Sequence, residues 1–484
     1  MPLKGLAGGL YQPLSPEDIA AIHEASLNIL KNIGMTYESG LDETLAMLEG
    51  RGLKVDREKA RIYFAPDLVE EQAAAAPEQV FLYNRDGSDA LDLTQHRVYL
   101  GTGGAAVIIL DLETGQARST TLHDMYQLAR LTDALDNIHF FVRPCAPTDL
   151  PVSEHDANAI FACLKGTAKH VMSGVTNEAG VHKMIDIATM VAGDRDKLMQ
   201  KPFISVIASF AISPLKLCTQ STLIMLEAVR NRIPVALSAA PMAGSTSPVT
   251  MAGTLAQLHA EQLAGITICQ LTNPGAPLLY GGIPGRANMR SLAYMGGAVE
   301  CGMMNAAIHQ LAHHIKVPNY NSSGLTDSKI PDAQATWEKA LSTVLAAMGG
   351  SNYIHHAAGM LESMLAVAYE QYVIDDEIIG MSCKVLEGIP VDAEHLALEA
   401  IEEVGPGGGS FIMSPHTMTH MRQEYYGGNG VSDQESREKW SEKGSLDART
   451  RARDIAKKIL AEEETPHIAK EAEKAIREKY NILL

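Results

Sequence analysis

Residues 203–240 read FISVIASFAISPLKLCTQSTLIMLEAVRNRIPVALSAA, and this stretch decides the fold. It opens on an apolar, β-branched run at 203–210 (FISVIASF) and closes on another at 234–240 (PVALSAA). Between them, 216–231 (KLCTQSTLIMLEAVRN) carries apolar residues at helical spacing. Strand, helix and strand in so short a span predict a βαβ unit, whose two strands lie parallel in one sheet.

The same rhythm continues in both directions. Strand-like runs recur at 138–145 (IHFFVRPC), 169–175 (KHVMSGV), 277–284 (PLLYGGIP), 318–324 (PNYNSSG), 351–359 (SNYIHHAAG) and 408–414 (GGSFIMS). Helical patterns such as 332–348 (DAQATWEKALSTVLAAM) lie between them. With the first pair this makes eight units, so residues 126–432 are expected to form an α/β fold of the (β/α)8 TIM-type barrel class, typically about 250 residues. A doubly wound nucleotide-binding sheet is disfavoured, because neither GxGxxG after a strand nor GxxxxGK[ST] occurs.

Two flanking regions differ in texture. Ser15 precedes Pro16, Glu17 and Asp18, an N-cap with proline at the first helical position, and Ile19, Ile22, Leu27 and Leu30 follow at helical spacing. From about 97 to 121, β-branched runs bounded by Gly-rich and Glu-Thr-Gly turns predict a hairpin. Residues 1–125 therefore read as an N-terminal α+β elaboration packed on the barrel. Residues 433–484 are dominated by charge, with Ile455, Ile459 and Leu460 at helical spacing, and read as a C-terminal helical extension.

Composition narrows the function. Lys plus Arg is 40 and Asp plus Glu is 58, a formal charge of −18, which repels phosphate backbones and argues against nucleic-acid binding. No apolar run approaches the roughly 20 residues of a membrane span, and no basic-then-apolar leader is visible at the start. A soluble, cytoplasmic protein is expected. The six cysteines (Cys145, Cys163, Cys218, Cys269, Cys301 and Cys383) are scattered without CxxC, so neither a disulfide framework nor a Cys-rich zinc site is expected.

A barrel carries its chemistry at the C-terminal ends of its strands. Those ends include Arg143, Phe210, Arg286, Ser323, Gly324, the pair His355–His356 and His416. Arg143, Arg286 and Arg290 are candidate carboxylate clamps, since guanidinium matches that geometry. Tyr280, Tyr320, Tyr353, Phe141 and Phe210 are candidate π faces for a quaternary ammonium, against the plainer reading that strand aromatics fill a core. His355 and His356 are strand neighbours expected on opposite faces, so one at most looks inward. His416 and His420 are four apart, but no third ligand at a matching spacing is visible and HExxH is absent, so no metal site is expected. Glycine-rich tips (GGIPG, SSGLTDSK, VGPGGGS) suit the close approach of a large planar group.

Four segments carry a resemblance: 23–35 (HEASLNILKNIGM), 241–265 (PMAGSTSPVTMAGTLAQLHAEQLAG), 326–340 (TDSKIPDAQATWEKA) and 405–420 (GPGGGSFIMSPHTMTH). Together they resemble the trimethylamine methyltransferase superfamily over nearly the whole chain. The resemblance implies a (β/α)8 barrel that passes a methyl group from a methylated amine to Co(I) of a corrinoid on a separate small protein. The founding enzymes carry pyrrolysine inside the barrel. None is written here, and its counterpart by position is expected near Gly324. Members without it resemble glycine betaine methyltransferases.

Chemistry supports that branch. A quaternary ammonium attacked at a methyl carbon releases a neutral tertiary amine and needs no proton. A neutral tertiary amine would have to leave as an anion unless first made cationic. The expected function is thus transfer from glycine betaine or a similar quaternary amine to a corrinoid protein, probed at four catalytic positions (Tyr320, Tyr353, His356 and Asp327). Phe210, Tyr280, Arg286 and Arg143 are the expected substrate contacts, and Ser323, Gly324, Lys329 and His416 the expected corrinoid contacts. Alternatives are a demethylase of proline betaine or carnitine, or a non-catalytic betaine- or corrinoid-binding barrel. Partners are the corrinoid protein and a second copy of the chain in a homo-oligomer.

Overall fold

Seven parallel ladders join eight strands in the computed structural model, which describes residues 5–407 and 409–484. In chain order they are β1 (Arg97–Thr102), β2 (Phe141–Val142), β3 (Val171–Ser173), β4 (Ile204–Ala208), β5 (Val235–Leu237), β6 (Leu278–Gly282), β7 (Asn319–Ser322) and β8 (Tyr353–Ala358). Spatial order follows chain order from β2 to β8, and β8 then pairs with β1. A parallel bridge between Gly101 and Phe140 links β1 to the residue before β2. Each strand is followed by a helix: α1 (Leu122–Ala134), α2 (His155–Gly166), α3 (Glu178–Ala192), α4 (Thr219–Arg230), α5 (Met251–Thr272), α6 (Val299–His314), α7 (Ala333–Gly349) and α8 (Tyr369–Glu387). This is a mixed α/β fold.

The strands are buried on both faces, which is why they read as apolar runs rather than alternating ones. Leu278 and Tyr280 of β6 join the large helix-side core, whereas Leu279 between them joins a second cluster with Tyr99, Phe140, Met172, Ala236, Tyr320 and Tyr353. The antiparallel hairpin of Val80–Tyr83 and Ala90–Leu93 completes that second cluster with Val80, Leu82, Leu91 and Leu93. It sits at the N-terminal ends of the strands, where Tyr83 N donates to Pro202 O just before β4.

Two expected strands are corrected. Arg97–Thr102, placed in the N-terminal hairpin by its turn-rich neighbourhood, is β1, between β8 and the bridge to Phe140. The hairpin itself is shorter, Ile108–Leu110 against Ala117–Ser119. At 408–414, Gly408 lies outside the described residues, and Phe411–Met413 form one 3-10 turn with Met413 80% exposed. A run packed with glycine and left in solvent has no sheet partner to fix its backbone.

The first helix, Pro16–Asn28, starts as its capping box predicts: Ser15 Oγ accepts from Asp18 N at 3.2 Å and Asp18 Oδ2 accepts from Ser15 N at 3.0 Å. It lies on α5, where Ser26 Oγ donates to Ala256 O at 2.8 Å. Helices Ala448–Ala461 and Lys470–Lys479 bury Ala452, Ala456 and Ile476, and Arg449 and Arg453 reach Glu370 of α8. No helix among the described residues is long and apolar enough to cross a membrane.

Candidate active site

A cavity of about 420 Å³ opens at the C-terminal ends of the strands. Its walls come from Gly104 and Ala105 after β1, Val142 and Arg143 of β2 and its tip, Gly174 and Val175 after β3, and Ile207, Ala208 and Ser209 of β4 and its tip. Ser221 and Ile224 of α4, Ser238 after β5, Ile283 after β6 and His355 and His356 of β8 complete the inner wall. The segment Ser363–Leu365 forms its rim.

His355 and His356 both line this cavity, correcting the expectation that one at most looks inward. The register of β8 against β1 shifts between Ile354 and Ala358, and His356 takes a left-handed φ of 66°. This irregularity breaks the alternation that would otherwise send neighbours to opposite faces. Ser322 Oγ lies 2.7 Å from His356 Nδ1, which leaves Nε2 as the nitrogen for a ligand. His355 is 1% exposed, and neither of its ring nitrogens has a hydrogen-bond partner among the described residues. Burial pulls the His355 imidazole down to about 3. Burial also holds His356 well below the ordinary range, with His355 and the Lys339 ammonium adding to the effect. Both rings are therefore neutral near pH 7.

Arg143 is the only charged side chain in the lining among the described residues. Its backbone extends the pairing of β2 with β3, Arg143 N donating to Met172 O at 3.0 Å, while its guanidinium has no hydrogen bond or ion pair to any described residue. A half-buried guanidinium without a partner is a binding group for an anion, carboxylate above all.

The rim is strained. Glu362, Ser363 and Met364 take φ of 48°, 50° and 83°, a conformation L residues rarely hold unless neighbours enforce it. Asp327 does so: its carboxylate accepts from Ser363 Oγ and, at 3.1 Å, from Gly296 N. Thr326 O and Ser328 O accept from Ser363 N and Glu362 N at 2.8 and 2.9 Å. Asp327 thus organises the rim, and Lys329, exposed, donates to its carbonyl at 2.7 Å.

The other expected site residues fall elsewhere. Tyr320 belongs to the inner cluster and meets His355 edge-on at 5.0 Å, so it backs the cavity wall. Tyr353, near the start of β8, stacks on Phe140 at 3.6 Å inside that cluster. Phe210 lies against Gly265 and Tyr280 is 2.8 Å from His259 Nδ1; both partners are on α5, so these rings face the helix layer. Arg286 pairs with Glu300 at 3.5 Å. Ser323 Oγ donates to Ser342 O at 2.6 Å. Gly324, at φ 79°, has no room for a side chain, since a Cβ would sit 2.7 Å from Ala357 Cα. The His416 ring lies tilted against that of His420, centroids 4.4 Å apart, and its Nε2 meets Glu394 O at 3.2 Å, outside the cavity lining. Sequence reasoning named His355 with its neighbour but gave it no role, and it passed over the serines at 209, 221 and 238; the position of Ser209 and Ser238 just after β4 and β5 was the available signal.

Residues 6–481 match the family model described as trimethylamine methyltransferase (MTTB). The chain is 36% identical over 459 residues to trimethylamine methyltransferase MttB of Desulfitobacterium hafniense strain DCB-2, covering 94% of this chain and 90% of that one. It is 32% identical over 453 residues to glycine betaine methyltransferase of D. hafniense strain Y51, covering 93% and 92%. The monomethylamine methyltransferase of Methanosarcina barkeri superimposes with a TM-score of 0.51 at 11% identity over 92% of each chain, a likeness of fold. The chain belongs to the trimethylamine methyltransferase family and is a methyltransferase.

Proposed function

We propose that this methyltransferase takes its methyl group from a quaternary amine that also carries a carboxylate, a betaine, and that its eight parallel strands close as a (β/α)8 barrel around the cavity. The observation that carries this reading is the unpartnered guanidinium of Arg143 in a lining otherwise free of charge. Trimethylamine offers Arg143 nothing; a betaine carboxylate offers two oxygens in the fork geometry that guanidinium matches.

The ammonium end needs a different environment. Neutral His355 and His356 line the cavity without repelling a cation, and Ile207, Ile224 and Ile283 keep water out. The acceptor, a Co(I) corrinoid on a separate protein, supplies the nucleophile. The apolar rim of Ala105, Val175, Met364 and Leu365 fits such a broad planar group, Leu365 being 59% exposed. As the methyl carbon leaves, the C–N electron pair stays on nitrogen and a neutral tertiary amine departs. No side chain has to give or take a proton, which matches a cavity holding two neutral histidines and no carboxylate. The residues of this chain act by holding and orienting the substrate.

The test is a substrate panel with chemically reduced cobalamin under anoxic conditions, following loss of Co(I) absorption. Glycine betaine or a related betaine is expected to react, and choline, which is quaternary without a carboxylate, is expected to be silent. Equal rates with choline or trimethylamine would overturn the assignment.

A further inference from the structure

At the opposite end of the strands from the cavity, three imidazoles from separate stretches of chain converge. His96 lies in the turn that enters β1, and His309 and His313 stand one turn apart near the end of α6. One ring nitrogen from each lies within 4.8 Å of the others. His96 Nδ1 is 2.8 Å from His309 Nε2, and the rings of His96 and His313 are 4.6 Å apart, centroid to centroid.

The tautomer of His309 follows from its neighbours. Asn319 Oδ1 accepts the backbone N–H of Asn352 at 3.1 Å, so the amide oxygen is the atom that faces His309 Nδ1 at 2.8 Å. His309 Nδ1 therefore carries the proton, and its Nε2 presents a lone pair toward His96. An imidazole whose far nitrogen donates to a fixed carbonyl-type oxygen is the arrangement that orients metal-binding histidines. His309 is buried, whereas His313 is exposed beside a cleft of about 630 Å³. The cations lining that cleft are compensated, Arg97 by Asp92 and Lys316 by Glu78 at 3.6 Å.

We propose that His96, His309 and His313 form a binding site for a divalent late transition ion of the Zn²⁺ class. Three imidazole nitrogens suit such an ion, and the cleft leaves a fourth position for water. Binding requires His96 to carry its proton on Nε2 and the 2.8 Å pair to open to about 3.3 Å, the spacing of two nitrogens about 2.0 Å from one tetrahedral ion. The ion would tie the turn before β1 to the end of α6, clamping the N-terminal face of the sheet. It lies apart from the substrate cavity, so its role is structural.

The test is Zn²⁺ binding to the full-length chain, read by stoichiometry after dialysis, by competition with a chromophoric chelator and by Tm. The wild type is expected to hold one tight Zn²⁺ and to melt higher with it. His313→Ala removes an exposed ring without burdening the fold, and it should weaken that site at least tenfold and abolish the Tm rise. His96→Ala should do the same, whereas the double variant His416→Ala, His420→Ala should leave the site intact. A wild type that holds no tight Zn²⁺ overturns the proposal, as does a site unchanged by His313→Ala and His96→Ala.

Discussion

Lys339 Nζ lies 3.2 Å from the carboxylate of Asp375, and both side chains are fully buried. The ammonium also donates to Gly324 O and, at 3.1 Å, to Met360 O, while Asp375 accepts from Gly359 N at 2.7 Å. One pair from α7 and α8 thereby fastens the turns that follow β7 and β8, the turns next to His355, His356 and the strained rim.

Removing one partner leaves a buried charge without compensation, which costs about 3–5 kcal/mol. Lys339→Met is therefore expected to lower stability by about that amount in urea denaturation, and Lys339→Met with Asp375→Leu to recover much of the loss. A single variant as stable as the wild type would show that the pair does not hold these turns.

Arg143→Gln keeps hydrogen-bonding capacity and removes the charge. Loss of a charge-assisted contact worth about 1.5–3 kcal/mol raises the KM for a betaine about tenfold to 150-fold. The kcat should change much less, because the carboxylate is held alike before and during transfer. Isothermal titration with glycine betaine checks this directly: unchanged affinity would remove Arg143 from the substrate site.

The neutrality of the histidine pair has a pH signature. Burial holds His355 at about 3 and His356 well below the ordinary imidazole range, so neither titrates between pH 5.5 and 8. Betaine affinity is expected to stay flat across that window. A one-proton loss of binding near pH 6.5 would mean that one ring becomes cationic beside the substrate ammonium. His355→Leu removes a π face and is expected to weaken binding by up to about 2 kcal/mol, read in the same titration.

Legibility from sequence divides along physical lines. The βαβ rhythm was plain because strands buried on both faces are apolar throughout and helices keep their own period, as 203–240 illustrates. Arg143 was legible because it is a polar residue directly after an apolar run. The face a strand residue takes was not: Tyr280 and Phe210 turn toward α5, while Tyr320 and Tyr353 turn inward, and period two distinguishes only alternate residues, not inside from outside. His355 and His356 share a face because of a local register shift and one positive φ on a non-glycine residue, neither of which has a composition cue. β1 hid among turn signals that belong to the neighbouring hairpin.

Acid stability offers a test at the C-terminal segment. Asp133 is half-buried, and that partial loss of water would by itself push its carboxyl up. His467 at 2.9 Å, Thr167 Oγ1 at 2.7 Å and Ala168 N at 2.9 Å bring it instead from an ordinary 3.8 down to about 2. A carboxyl depressed in the folded state binds fewer protons there than in the unfolded chain, so its contribution is complete above pH 4 and is lost as pH falls toward 2. The shift corresponds to about 2 kcal/mol. The stability difference between the wild type and Asp133→Asn should therefore be near that value at pH 6 and shrink steadily between pH 4 and 2. A difference that is constant with pH would assign the effect to packing, and would leave His467 as a contact that positions the C-terminal segment without charge stabilisation.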